Sequence, residues 1–255
     1  MGRLTFLGTG TSTGIPEIGC TCHTCTSTDP RDQRYRSSAL VEYGEEKILL
    51  DCGPDVRNQL LRAKVDHLDH ILLTHEHYDH CGGLDDIRPL FWKMDTCPIH
   101  AEPNVISALR IRMPYAFAEN RYPGVPQLVL EETYPGRTIP LKDGSVIEPL
   151  RVMHGKLPIV GYKFGRLAWI TDCKTLPEET IEAIRGIPTL VVNALRLYDH
   201  PAHMTLDESL ALVSRIQPER TYFIHFAHTI GRHEEIEARC PEGVTPAYDG
   251  LQIEF

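Results

Sequence analysis

Residues 74–80 read Thr-His-Glu-His-Tyr-Asp-His, set between the apolar run His70-Ile71-Leu72-Leu73 and Cys81-Gly82-Gly83. Four potential metal ligands, His75, His77, Asp79 and His80, thus fall within six residues, at the end of a predicted strand and ahead of a glycine turn. Packing does not call for them. Three imidazoles and a carboxylate add no apolar surface, and burying them without partners would be costly. Divalent cations satisfy all four at once. A polar loop that is His-rich by chance rarely reads His-x-His-x-Asp-His straight off a strand and into Gly-Gly.

A second cluster lies upstream, at Cys20-Thr21-Cys22-His23-Thr24-Cys25. Three thiols so close together would be a liability as free surface groups. They can converge on one tetrahedral zinc, with a fourth ligand supplied from elsewhere; a redox pair or spare thiols are the alternatives. His23, wedged between two ligands, is expected to face solvent. The other five of the eight cysteines are scattered, which favours a reduced, cytoplasmic setting over a disulfide framework.

Composition narrows the function classes. The 255 residues can bury a substantial core, and 42% apolar with 24% charged residues is ordinary for a soluble protein. No run of ~18 apolar residues suggests a membrane span. The start, Met1-Gly2-Arg3-Leu4-Thr5-Phe6, runs directly into a strand and has no secretory h-region. A formal charge of −9 argues against a general nucleic-acid binder, although bound divalent ions would focus positive charge where a small anion could be drawn.

In chain order, strand Arg3 to Leu7 enters Gly8-Thr9-Gly10-Thr11-Ser12-Thr13-Gly14. This is either a structural turn or a phosphate contact, but not a dinucleotide fingerprint, because no helix follows. Residues 29–38, with Arg31, Arg34 and Arg36, read as a solvated loop; Arg36 is a secondary candidate for anion binding. A hairpin from Ala39 to Leu50 ends in Asp51. A helix is expected over Asp85 to Met94, another over Asn104 to Arg112, and a long loop from Pro114 to Pro126. In that loop Tyr115, Phe117 and Tyr122 either line a substrate mouth or pack beneath it. Strands Leu128 to Thr133 and Val146 to Val152 bracket the turn at Lys142-Asp143-Gly144, and the second of them delivers His154. Strand Leu167 to Ile170 delivers Asp172. Thr175 with Glu178, and Thr205 with Glu208, read as capping boxes. Leu206, Leu210 and Val213 are expected on one helix face, with His203 just before that helix. Strand Arg220 to Ile224 delivers His225 and His228, and a closing strand pair runs through residues 248–251.

Together these motifs resemble the metallo-β-lactamase superfamily, whose hallmark is the His-x-His-x-Asp-His run. The resemblance implies one hydrolase domain over 1–255, of α/β class, folded as a four-layer αββα sandwich with metals at the sheet edges. It implies that His75, His77 and His154 hold one divalent ion and that Asp79, His80 and His225 hold the other. Asp172 bridges them, and Asp51 supports the histidines from behind. Cys173 is a caution, because true β-lactamases use a cysteine near this point, but the register favours Asp172. The Gly-Thr-Gly start, the Cys-x-Cys-x-x-Cys cluster and the final His-x-x-His are similar to the PhnP phosphodiesterase branch. That similarity makes His228 the fourth ligand of a structural zinc with Cys20, Cys22 and Cys25, and His203 the general acid.

The implied cofactors are two catalytic divalent metals (Mn, Zn or Fe) and one structural Zn. The implied reaction is hydrolysis of a small cyclic phosphate, of the ribosyl 1,2-cyclic or cyclic-nucleotide type, by a hydroxide bridging two metals ~3.5–4 Å apart. A small anionic phosphodiester is the expected partner, with no membrane and no long nucleic acid, and a homodimer is expected by similarity. The alternatives are a tRNase Z-like tRNA 3′ endonuclease, a PqqB-like cofactor-biosynthesis protein and a non-enzymatic metal-binding protein. The first lacks room for a tRNA-gripping arm, since only residues 155–171 separate His154 from Asp172.

Overall fold

The computed structural model describes residues 1–92, 97–120 and 124–255. Its strands are β1 (Arg3–Gly8), β2 (Ser38–Tyr43), β3 (Glu46–Leu50), β4 (His70–Leu72), β5 (Pro98–Ala101), β6 (Val129–Glu132), β7 (Ile139–Pro140), β8 (Val146–His154), β9 (Leu157–Phe164), β10 (Leu167–Ile170), β11 (Thr189–Asn193), β12 (Arg220–Ile224), β13 (Val244–Pro246) and β14 (Gln252–Glu254). The helices are α1 (Val56–Arg62), α2 (Tyr78–Cys81), α3 (Arg88–Phe91), α4 (Pro103–Arg112), α5 (Pro114–Phe117), α6 (Glu178–Ala183), α7 (Leu206–Ile216) and α8 (His233–Glu237).

The strands form two mixed sheets, ordered β14-β1-β2-β3-β4-β5-β6 and β13-β12-β11-β10-β9-β8-β7. Their central strands are apolar on both faces, so each sheet must be covered twice. The two-residue alternation of side chains explains how. Ile48, Leu50, Trp169 and Val191 turn into the seam between the sheets, where they meet Phe6, Tyr162 and Phe164. Leu49 and Ile71 turn outward beneath Val56, Val105 and Leu109 of α1 and α4. Ile170, Leu190 and Val192 turn outward beneath Ile181, Leu206, Leu212 and Ile236 of α6, α7 and α8. The result is the expected αββα sandwich.

Several local expectations are corrected. β6 and β8 do not bracket one turn: they lie in different sheets, and the turn at Lys142-Asp143-Gly144 joins β7 to β8. The last two strands do not pair either, since β13 extends one sheet beside β12 and β14 closes the other beside β1. α3 starts only at Arg88, with Pro89 in its first turn, and Met94 lies outside the described residues. The loop after α4 begins with the short helix α5. Thr175 does not cap α6. Its chain instead pairs with Met153 at the end of β8, and Pro177 occupies the cap. The Thr205–Glu208 capping box is present, but α7 buries Leu212 more deeply than the half-buried Leu210 and Val213. Arg34 is not solvated at all. It is buried, donating to Thr9 Oγ1 and the Ala247 carbonyl and lying over the Phe226 ring.

Candidate metal centre and active site

Asp51, His75, Asp172 and His225 follow β3, β4, β10 and β12 closely, and His154 ends β8. These strand ends share one edge of the sandwich. Asp51, Asp172 and His225 all have positive φ, at 58°, 53° and 62°. A residue bearing a Cβ is disfavoured there by ~1–3 kcal/mol. Such backbone is retained where the surrounding structure forces it, and here it turns three polar side chains into one site.

Ligand atoms of His75, His77 and His154 lie within 4.8 Å of one another, as do those of Asp79, His80, Asp172 and His225. Asp172 joins the groups. Its Oδ2 lies 3.8 Å from His75 Nε2, and its Oδ1 lies 3.3 Å from His80 Nε2 and 3.2 Å from His225 Nδ1. His203 Nδ1 stands 3.9 Å from the same Oδ2, and its ring stacks against that of His225.

The outer atoms of these imidazoles are held. His80 Nδ1 is 2.7 Å from Asp51 Oδ2. Asp51 also accepts from the Thr74 backbone N–H and hydroxyl, and the Thr74 hydroxyl lies 3.0 Å from His75 Nδ1. His154 Nδ1 donates to the Ala202 carbonyl at 2.9 Å. His225 sits between Thr11 Oγ1, 3.0 Å from Nε2, and Ser37 Oγ, 3.0 Å from Nδ1. In His75, His80 and His154 one nitrogen is pinned and the other is left for the cluster, as metal-ligating histidines require, whereas His225 Nδ1 is shared between Ser37 and Asp172.

The donor set fits divalent cations. His80 Nε2 is buried without a hydrogen-bond partner, although carboxylate oxygens of Asp79 and Asp172 lie 3.1 and 3.3 Å away. Burial works against a charge on His80, yet Asp172, Asp79 and Asp51 hold its imidazole well above the ordinary value, so the cluster attracts positive charge, which suits a cation. The charges agree. Burial alone would raise the Asp172 carboxyl, but the neighbouring imidazoles, His225 and His80 foremost, hold it well below the usual carboxylate range. Burial and the neighbouring His80 keep His75 neutral, its pKa well below the ordinary imidazole value. Burial, with His225 beside it, pushes His203 down to about 2.

The cysteine cluster is also brought together. Cys20 Sγ and Cys22 Sγ each lie 3.3 Å from His228 Nδ1, and Cys25 completes the group. Donors around a tetrahedral zinc are ~3.5 Å apart at ordinary bond lengths, so the spacing fits. The Cys25 backbone N–H is the main cause that draws the Cys22 thiol down to about 6, while burial raises Cys25 to about 12. His23 faces solvent beside Glu235, as expected.

The other candidates have different surroundings. Arg36 is engaged with Asp55 at 2.9 Å. Phe117 packs against the helix-covered core of the first sheet, whereas Tyr115 is partly exposed and donates to Asp85; Tyr122 lies outside the described residues. The glycine-rich start proves to be a scaffold. Thr11 N–H bonds the Phe226 carbonyl and Phe226 N–H the Thr9 carbonyl, which places the Thr11 hydroxyl on His225. Nothing in the sequence marks Thr11 and Ser37 as functional, because a hydroxyl in a polar loop carries no spacing signal.

A sandwich whose strand ends gather these donors is a metal-dependent hydrolase fold. Residues 46–226 match the beta-lactamase superfamily domain, and the chain belongs to that family. It superposes on a new diphosphatase from the PhnP family with a TM-score of 0.92 and 38% identity, covering 100% of this chain and 97% of that one. It is 43% identical over 252 residues, 98% of its length, to an octanoyltransferase of Porphyromonas gingivalis, but spans only 51% of that protein. Zn(2+)-bound PqqB of Methylobacterium extorquens shares the fold at a TM-score of 0.81 and 22% identity, over 99% of this chain and 100% of that one. Among the described residues, no helix is long and apolar enough to cross a membrane.

Proposed function

We propose that the chain, acting as one domain over 1–255, is a metal-dependent phosphodiesterase for a small anionic phosphate ester. A ribosyl 1,2-cyclic phosphate or a cyclic-nucleotide-like phosphate is the preferred substrate. The observation that carries this reading is Asp172, with one carboxylate oxygen turned toward His75 and His203 and the other toward His80 and His225.

In this reading His75, His77 and His154 hold one cation, Asp79, His80 and His225 the other, and Asp172 both. Cys20, Cys22, Cys25 and His228 hold a structural zinc. Divalent cations in the first two places supply Lewis acidity and lower the pKa of bound water. The remaining work falls to the protein. Asp51, Thr74, Thr11 and the Ala202 carbonyl hold the imidazoles at fixed angles. His203, beside Asp172, gives a proton to the leaving oxygen. Its ring is neutral in the free protein, so the substrate's own negative charge must favour the protonated form as it binds.

Two features support a small substrate. Residues 155–171 are fully used by the turn after β8, by β9 and by β10, which leaves no arm for gripping tRNA. The net charge of −9 disfavours a long polyanion. The likeness to a PhnP-family diphosphatase brings diphosphate esters into the same test panel.

The test is hydrolysis of bis(p-nitrophenyl) phosphate by metal-stripped protein refilled with Mn or Zn, alongside His75→Ala. Metal-dependent cleavage abolished by the substitution is the expected result. Cyclic ribose phosphates, cyclic nucleotides and diphosphate esters then rank the substrates. No cleavage by metal-loaded protein, with turnover of an octanoyl thioester instead, would replace this reading with an acyl-ester one suggested by the octanoyltransferase relative.

A further inference from the structure

His200 belongs to neither metal group, yet it organises the segment that serves both the metals and the proton donor. Its Nδ1 lies 3.2 Å from the backbone nitrogens of Ala202 and of His203, so it accepts from both N–H groups and carries its own proton on Nε2. The segment it folds does two things. The Ala202 carbonyl receives the Nδ1–H of His154 at 2.9 Å. The next residue, His203, presents its ring 4.5 Å from that of His154 and 4.9 Å from that of His225.

The fit of this segment is tight on its other side. Gly155 has φ +60°, and a Cβ there would stand 3.2 Å from the Pro201 carbonyl oxygen and 3.4 Å from Ala202 Cα. The turn after β8 and the turn before α7 are therefore packed against each other, with His154 and His203 on either side of the contact. By contrast, residues 197–199 just before His200 are exposed. Arg196 and Lys174 hold Tyr198 and Asp199 upstream, and the ring nitrogen of His200 holds the turn that follows.

We propose that His200 is a positioning residue that sets His154 and His203 together, by holding the Pro201–His203 turn through its Nδ1. The claim rests on the reading of His154 as a metal ligand and His203 as the proton donor. An asparagine side chain accepts from the backbone N–H two residues on in the same way, as an Asx-turn. His200→Asn should thus keep the turn while removing the imidazole, and His200→Ala should lose both.

The experiment is a metal titration of stripped wild type, His200→Ala and His200→Asn, with Mn and with Zn, followed by turnover on an aryl and an alkyl phosphodiester. Apo-protein melting checks that all three are folded. Expected for His200→Ala is about a tenfold loss of affinity at the catalytic pair, as when an outer partner of a ligating histidine is removed. Its loss of turnover should be larger on the alkyl ester, which needs a proton on leaving. His200→Asn should recover most of both losses. Wild-type metal affinity and an unchanged alkyl-to-aryl ratio in His200→Ala would overturn the proposal. So would a His200→Asn as impaired as His200→Ala, since the imidazole itself would then be needed. If wild type cleaves neither ester, the phosphodiesterase reading fails, while the metal titration still decides the role of His200.

Discussion

His80 Nδ1 and Asp51 Oδ2 are 2.7 Å apart, and neither side chain is exposed to solvent. Asp51 also binds Thr74, whose hydroxyl touches His75, so one buried carboxylate orients a histidine in each of the two donor groups. Asp51→Asn keeps the size and tolerates the φ of 58°. It removes the charge that favours a proton on His80 Nδ1. Metal affinity should fall about 10- to 100-fold with the fold intact. Titration of the stripped protein with Zn, read beside circular dichroism, checks it; unchanged affinity would mean Asp51 only packs.

Arg34 should matter to stability far more than its place in a polar loop suggests. Its guanidinium is buried among Thr9, the Ala247 carbonyl, His233 and the Phe226 ring. Burial pulls its pKa down to about 10. Arg34→Leu leaves those acceptors without a donor and Asp249 without its nearby cation, and should cost about 3–5 kcal/mol in urea unfolding. A loss below ~1 kcal/mol would place Arg34 among ordinary surface cations.

Arg34 also marks where the sequence stopped being informative. Metal-type side chains at strand ends announce themselves, because residues 75–80, His154, Asp172 and His225 have no apolar reason to be there. Short apolar runs located most central strands in the same way. Arg34 looked no different from Arg31 or Arg36, and only the return of the chain at Ala247 and His233 buries it. Which sheet a strand joins is equally invisible locally, and so β6 and β8 read as neighbours. His200 gave no signal either, since its role is to accept two backbone N–H groups that exist only once the turn has formed.

His100 should make the fold acid-sensitive. It is buried, with Nε2 2.9 Å from His70 Nδ1 and Nδ1 3.7 Å from Glu131. Burial first, then His70 and Arg137, push it down to about 4 from an ordinary 6.5. The unfolded chain takes up this proton below pH 6.5 and the folded chain only near pH 4. The stabilising effect is therefore complete above pH 6.5 and lost as pH falls from 6.5 toward 4. At pH 4.5 the loss is roughly 2–3 kcal/mol. Unfolding free energies from urea titrations at pH 7 and 4.5 should differ less in His100→Gln than in wild type by about that amount; parallel changes would exclude His100 as the cause.

The cysteine cluster should be a structural tie. Glu17 Oε2 lies 3.4 Å from His228 Nε2, leaving Nδ1 to face Cys20 and Cys22. His228 is three residues beyond His225, so zinc here would pin the loop of residues 17–25 to the strand end that carries His225. The Cys20→Ser, Cys22→Ser double variant should bind one zinc fewer and melt about 10 °C lower. It should also lose affinity at the catalytic pair through a looser His225. Full zinc content by elemental analysis would remove the assignment.

The role of His203 can be separated from that of the metals by varying the leaving group. A p-nitrophenolate departs without a proton, whereas an alkoxide or a sugar hydroxyl does not. His203 Nδ1 is 3.9 Å from Asp172 Oδ2 and buried without a hydrogen-bond partner, so no other residue engages the nitrogen that faces the donor cluster. His203→Ala should reduce kcat/KM on an alkyl or cyclic ribose phosphodiester about 10²- to 10⁴-fold, and much less on bis(p-nitrophenyl) phosphate. Metal stoichiometry should not change, because the three histidines of one group and the four residues of the other remain in place. Equal losses on both esters would mean that His203 shapes the pocket or steadies His154, and the leaving oxygen would then have to take its proton from solvent.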